Sequence, residues 1–262
     1  MPELLEVEYF RRLAERCAGR TILHIDVPDA HALADGRSPR SLRQAVVGRR
    51  IELARRHGKL LVLETDGPAL GLRFGMTGGL VVDGELAIDR LLYSPGTFGT
   101  AWVRFGIRFD EGELLFHDPR RFGRVSLDPD ESRMGPDAMA VTAAELGRAL
   151  ATRGPAPGPA LKARLLDQSA IAGIGNLLGD EILWRASLAP SRPARSLAPA
   201  ELRRLHRHLV ATLADLLERG GSHTGDLMAE RHLGGRCPKD GSPLERSTVG
   251  GRTTWWCPRH QH

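Results

Sequence analysis

The sequence predicts an α+β fold: an N-terminal antiparallel β-sandwich with flanking helices, then a helical region, then a small β-hairpin bearing cysteines. Three observations predict it. Short apolar runs of β character, separated by glycine turns, fill residues 21–127. The stretch Arg153-Gly154-Pro155-Ala156-Pro157-Gly158-Pro159 then denies helix and sheet alike, and the pattern beyond it becomes helical. Last, Cys237-Pro238 and Cys257-Pro258 bracket the C-terminal segment. The expected domains are residues 1–152, 153–230 and 231–262.

In order along the chain, residues 5–17 read as an amphipathic helix with Val7, Phe10, Ala14 and Cys17 on one face and Glu8, Arg11, Arg12 and Glu15 on the other. Glu3 and Glu6 lie before or in its first turn, where the helix dipole favours carboxylates. Runs such as residues 21–25, 60–63 and 80–82 read as strands, about seven or eight in all. Asp66-Gly67, Asp83-Gly84 and Glu111-Gly112 supply the reverse turns of an antiparallel arrangement. Helices are expected over 161–168, 177–186 and 200–219, the last stopped by Gly220-Gly221.

At 262 residues the chain can bury a sizeable core. Its net charge of +5 comes from 37 Lys and Arg against 32 Asp and Glu, with arginine supplying nearly all of the positive side. Guanidinium forks match phosphate oxygens, which favours a nucleic-acid partner. No apolar run reaches the ~18 residues of a membrane span, and the N-terminus lacks the basic-then-apolar order of a signal peptide. A cytosolic protein with no membrane partner is expected. Three cysteines cannot build a disulfide framework, and in a reducing compartment the pair Cys237 and Cys257 points to metal. Cys17 reads as a core residue.

Four places can carry chemistry. Removal of Met1 gives Pro2 a free secondary amine, a nucleophile able to form an iminium, with an ordinary α-amino pKa near ~7.7–8.0; the plainer reading is a Met-Pro start with end-stabilising acids. Cys237, Asp240, Cys257 and His260 hold the positions of a zinc ribbon with two cysteines exchanged, and predict one structural Zn²⁺. A metal-free hairpin would rely on Leu244, Trp255 and Trp256 alone, too little core for so small a unit. Gly173-Ile174-Gly175-Asn176 at a helix entrance, after Lys162 and Arg164, suits an anion or a plain helix start. Asp118-Pro119-Arg120-Arg121-Phe122-Gly123 sets two guanidiniums beside an aromatic in a turn, and Met76 tips another glycine-rich turn. Both suit a wedge into stacked bases, or packed turn residues.

Together these motifs resemble the formamidopyrimidine-DNA glycosylase and endonuclease VIII family of bifunctional DNA repair enzymes, nearly end to end. Pro2-Glu3-Leu4 with Glu6-Val7-Glu8, Arg56-His57-Gly58-Lys59, the Asp118–Gly123 block, Gly173–Asn176 with Glu181, and Arg252–Pro258 stand in family order. The resemblance implies a helix-two-turns-helix domain and a zinc-finger-like hairpin after the sandwich. It also implies a monomer of the bacterial cytosol and nucleoid acting on damaged double- or single-stranded DNA. Pro2 would attack C1′ of the damaged nucleoside, with β- and then δ-elimination following, and Glu3 would serve as acid and base. Glu6 would place the N-terminus and Lys59 would bind phosphate near the lesion. Arg73, Lys162, Asn176 and Arg252 would grip the backbone, while Met76, Arg120, Arg121 and Phe122 would fill and flank the void. Four departures stand out: Leu5 for a usual Pro, Arg73 for a usual His, Asp240 and His260 for two zinc cysteines, and a short 222–236 segment where 8-oxoguanine-directed members carry a lid. The alternative is a module that binds abasic, crosslinked or distorted DNA without cutting it.

Overall fold

In the computed structural model, residues 2–34, 36–88, 99–151 and 157–262 are described. They form two compact units, one of Pro2 and Glu6–Glu131, the other of Glu3–Leu5 and Ser132–His262. The division falls ahead of the proline stretch expected as the linker, of which 153–156 lie outside the described residues. The physical reason is that Ala138, Val141, Leu146 and Leu150 already belong to the second unit's core, so the chain joins that core before reaching the prolines.

The first unit is a sandwich of two antiparallel sheets. Strands β1 (Ile22–Asp26), β5 (Gly79–Val82), β6 (Glu85–Leu86), β7 (Val103–Phe109) and β8 (Glu113–His117) form one sheet in the order β1-β7-β8-β5-β6. Strands β2 (Ile51–His57), β3 (Leu60–Thr65), β4 (Leu70–Arg73) and β9 (Arg124–Leu127) form the other in sequence order. Among the described residues of this unit there are thus nine strands, slightly more than expected. The dipeptide turns fall where the sequence puts them. Asp83 (φ 51°) and Gly84 (φ 81°) are both left-handed, the geometry that matches a two-residue hairpin to strand twist.

Helix α1 (Leu4–Ala14) continues through a 3₁₀ turn to Cys17 and buries Val7, Phe10, Ala14 and Cys17 in the sandwich core, as its periodicity predicts. Phe10 lies 4.4 Å from Phe74, which meets Phe116 edge-on at 5.5 Å. Helix α2 (Pro39–Val46) was not expected within the β region. Its start is nonetheless conventional: the Ser38 hydroxyl accepts from the Ser41 amide at 3.1 Å and Pro39 takes the first turn.

The second unit is helical. It contains α3 (Ala143–Leu150), with a Thr142/Glu145 capping box, α4 (Leu161–Leu166), α5 (Asn176–Arg185) and α6 (Pro199–Arg219), which ends at Gly220 with φ 110°. Leucines of these helices enclose Leu4 and Leu5, the first residues of α1. A hairpin of β10 (Glu245–Val249) and β11 (Arg252–Trp256) follows. Its own small core holds Leu244, Trp255, Cys237 and Cys257, and is completed by Trp184 of α5 and Leu227. Among the described residues no helix is long and apolar enough to cross a membrane.

Candidate functional site

Pro2 is buried just ahead of α1, and Glu3 is 1% exposed. The Glu3 carboxylate accepts from the amides of Leu177 at 2.9 Å and Leu178 at 3.1 Å. These are first-turn donors of α5, which have no acceptor within their own helix, and the dipole there favours a negative group. The two glycines before the helix make room in different ways. Gly173 takes φ 113°, and its carbonyl accepts from the Leu4 amide at 3.2 Å. At Gly175 an added Cβ would stand 2.1 Å from Glu3 Cδ. Glu3 therefore caps a helix, as a carboxylate near a helix start can, but the helix is α5 rather than α1. Leu5, at the family's usual proline position, is fully buried within α1 and leaves the helix start intact. Glu6 is 2% exposed in the first turn of α1.

In the first unit, Lys59 sits on the β2–β3 turn, half-buried, next to Gly58 with φ 56°. Arg56 steadies this turn by donating to the Gly58 carbonyl at 2.9 Å while its Nε reaches Glu8 at 3.3 Å. Glu8 also accepts from Arg11 and Arg12, each at 3.1 Å. Burial alone would raise its pKa, yet these guanidiniums hold it below the usual carboxylate value. Expected on the polar face of α1, Glu8 instead joins that helix to the turn that carries Lys59.

Asp118 organises the two expected wedge loops. It is fully buried and accepts from Thr77 Oγ1 at 2.6 Å, the Arg120 amide at 3.1 Å and the Gly123 amide at 2.7 Å. Thr77 belongs to the turn tipped by Met76, and a Cβ on Gly75 would lie 2.7 Å from Phe122, so the two loops pack as one body. Phe122 remains 52% exposed, with the Arg120 guanidinium 5.1 Å over its ring. Arg121 is turned elsewhere. At φ 60° it forks onto Asp29 at 2.6 and 2.9 Å, and this contact pulls the Asp29 pKa down. That engagement counts against the expected DNA contact by Arg121. Arg73 ends β4, exposed. We expect Asp118→Ala to cost about 2–4 kcal/mol, since it strands a buried amide, a half-buried amide and a buried hydroxyl. It should also weaken abasic-duplex binding more than undamaged-duplex binding. Thermal unfolding and anisotropy titrations of both duplexes check this, and equal weakening for the two would show that the loops do not read the lesion.

In the second unit, Asn176 opens α5 and donates to the Thr253 carbonyl at 3.1 Å, while Arg252 opens β11, exposed. Lys162 stands apart from these two. Expected to grip phosphate, it is 0% exposed and lies 2.7 Å from Asp180 Oδ1. Burial pushes its pKa down, and the Asp180 charge opposes that shift. Sequence reasoning passed over Asp180 and had only a motif position for Glu181. The signal was there, as two adjacent acids inside the apolar run from Leu177 to Trp184. Glu181 accepts from the Asp226 and Leu227 amides at 3.1 and 3.0 Å and from Arg185 at 2.7 Å, which ties down the start of the short 222–236 segment.

Cys237, Asp240, Cys257 and His260 come together as expected, with one donor atom of each within 4.8 Å of the others. Around a tetrahedral ion with bonds of ~2.0–2.3 Å the donors stand about 3.3–3.8 Å apart. Cys237 Sγ lies 3.4 Å from His260 Nδ1, Cys257 Sγ 3.5 Å from Asp240 Oδ2, and His260 Nδ1 3.6 Å from the same oxygen. His260 Nε2 donates to the Trp184 carbonyl at 3.2 Å, which leaves Nδ1 bare for a metal. Trp184 Nε1 donates to Cys237 Sγ at 3.3 Å. The residues fit a metal ion.

A β-sandwich unit, a glycine-bounded helix pair and a four-donor hairpin define a helix-two-turns-helix protein with a finger whose donors could hold a metal ion. Residues 1–125 match the family model of the formamidopyrimidine-DNA glycosylase N-terminal domain, and residues 134–227 match that of the formamidopyrimidine-DNA glycosylase H2TH domain. The chain belongs to the formamidopyrimidine-DNA glycosylase family. It is 37% identical to the formamidopyrimidine-DNA glycosylase of Thermus thermophilus across all of this chain and 98% of that one. It is 33% identical to that of Geobacillus kaustophilus over the full length of both. Among solved structures, the MutM (Fpg) protein from Thermus thermophilus superposes with a TM-score of 0.78 at 34% identity, covering 99% of this chain and 98% of that one. A complex between Lactococcus lactis Fpg and DNA containing an abasic site gives 0.81 at 25% identity, covering both chains fully.

Proposed function

We propose that this protein is a base-excision-repair DNA glycosylase that also cleaves the strand at abasic sites, with Pro2 as its nucleophile. The Pro2 amine, freed by loss of Met1, bonds to C1′ of the damaged deoxynucleoside as the glycosidic bond breaks and the base departs with a proton. Opening of the sugar ring gives an iminium. Loss of a C2′ proton then expels the 3′ phosphate, and loss of a C4′ proton expels the 5′ phosphate. Glu3 carries protons at the sugar. The observation that supports this assignment is Glu3, the neighbour of Pro2, fixed by two α5 amides in a buried position. Lys59 with Arg73, Asn176 and Arg252 bind phosphate, Glu6 helps to place the N-terminus, and Met76, Arg120 and Phe122 occupy the space left by the everted base.

We assign the ion at Cys237, Asp240, Cys257 and His260 as one structural Zn²⁺. Two thiolates and an imidazole suit it, and a full set of four protein donors leaves no open catalytic position. A DNA substrate supports assigning the enzyme to the cytosol and nucleoid.

Borohydride trapping tests the chemistry. Protein with a verified Pro2 terminus should form a covalent adduct with abasic-site DNA, and Pro2→Gly should lose at least a hundredfold of that yield while still binding the duplex. Full trapping by Pro2→Gly would move the nucleophile elsewhere. Binding without any adduct or incision by the native protein would make it a binding module.

A further inference from the structure

We infer that Lys162 is a positioning residue for DNA binding: it pins the metal hairpin to α4 and α5 and so sets Asn176 and Arg252, and its own ammonium does not touch phosphate. The inference rests on the DNA-binding reading above.

An ammonium has three N–H donors. Lys162 Nζ donates to Thr254 Oγ1 at 2.8 Å and the Thr253 carbonyl at 3.2 Å, and its charge is paired with Asp180 Oδ1 at 2.7 Å. With the side chain fully buried, nothing is left to offer a phosphate unless these contacts break. Asp180 is itself 2% exposed, and its second oxygen takes Arg231 and the Trp255 amide, the latter at 3.3 Å. The pair therefore holds β11 at three consecutive residues, Thr253, Thr254 and Trp255.

The Thr253 carbonyl has two lone pairs, and it serves Lys162 and Asn176 Nδ2 together. This fixes which way the Asn176 amide faces. Its Oδ1 is buried with no hydrogen-bond partner among the described residues, so the nitrogen end is the one directed to Thr253, with a second N–H left to donate. The hairpin turn is seated on α4 as well: an added Cβ at Gly250 would lie 2.8 Å from Ala163 Cβ. Arg252 lies between this seat and the pinned Thr253. The expected phosphate contacts Asn176 and Arg252 are thus two outputs of one internal ion pair.

The experiment uses the full-length metal-loaded protein and a duplex with a tetrahydrofuran abasic analogue, with Kd measured across a salt series. In an Arg252→Ala background, removing the charge of a residue that itself binds phosphate should still lower the slope of log K against log salt by about 0.9. For a positioning residue, Lys162→Met should weaken binding about tenfold in the native background and leave the slope unchanged in the Arg252→Ala background, and Asn176→Ala should add little in the Lys162→Met background. Asp180→Asn gives opposite signs. Loss of an acidic group near DNA tightens binding if Lys162 is a phosphate ligand, and weakens it if the pair positions the hairpin. Lys162→Met/Asp180→Asn, which removes both charges of the buried pair and keeps an Asn oxygen facing Arg231, should recover melting temperature over Lys162→Met while binding stays weak. A slope lowered by about one on Lys162→Met in the Arg252→Ala background, or tighter binding by Asp180→Asn, overturns the inference. Wild-type protein that neither binds the duplex nor traps with borohydride removes the DNA reading itself.

Discussion

Glu3→Ala should lose strand cleavage and helix stability together. Proton transfer by a placed side chain contributes about 10²–10⁴-fold to a rate. The same carboxylate accepts two buried amides of α5, and charge-assisted hydrogen bonds contribute about 1.5–3 kcal/mol each. Glu3→Gln separates the two roles. Its amide oxygen keeps one acceptor for α5 but cannot exchange a proton, so most of the stability should return while single-turnover cleavage of an abasic duplex stays at the Ala level. If Glu3→Gln recovers both, Glu3 is a helix cap and another group moves the protons. Gly175→Ala approaches the same point from the opposite side. Its Cβ would occupy the Glu3 carboxyl position, and the rate should fall although no catalytic group is removed.

Loss of the metal should be the other large effect. Structural Zn²⁺ contributes on the order of 10–16 kcal/mol to the folding of isolated fingers. Without a cation, two thiols, a carboxylate and an imidazole remain crowded within 4.8 Å, and burial pushes the Cys237 thiol pKa up. Chelation, or Cys257→Ala, should therefore melt the hairpin and cut affinity for an abasic duplex at least tenfold. The sandwich should survive, because its core is its own. Trp184 and Trp255 share the hairpin core, so near-UV dichroism reports the melting directly. One zinc per chain by metal analysis is the accompanying expectation. An unchanged dichroism spectrum and no metal would reject the site.

What the sequence made legible was local. Asp83-Gly84, Gly220 and the β-type runs signal structure through their immediate neighbours, and the spacing of Cys237, Asp240, Cys257 and His260 suffices to anticipate a shared centre. What it hid depends on distant partners. Nothing near Glu3 says that its carboxylate will cap a helix beginning at Asn176. Lys162, beside Leu161 and two residues before Arg164, reads as part of a basic surface until Asp180 and Thr254 are seen to enclose it. Glu8 misled for the same reason, since a carboxylate amid arginines looks solvated whether or not Arg56 arrives from another strand. Helix α2 is a different case. Ser38-Pro39 is an ordinary helix start, overlooked because the surrounding runs were β-like.

Phe122 stands half out of the protein on a loop that Asp118 has already frozen. A stiff probe gives up little motion of its own on meeting DNA, so the work of insertion falls on the duplex. That work is smallest where a base step is already soft, whether from a missing base, a mismatch or a flexible pyrimidine–purine step. In the role proposed for it, Phe122 would measure mechanical compliance rather than chemical identity, so its first selection among base steps would be for yielding ones.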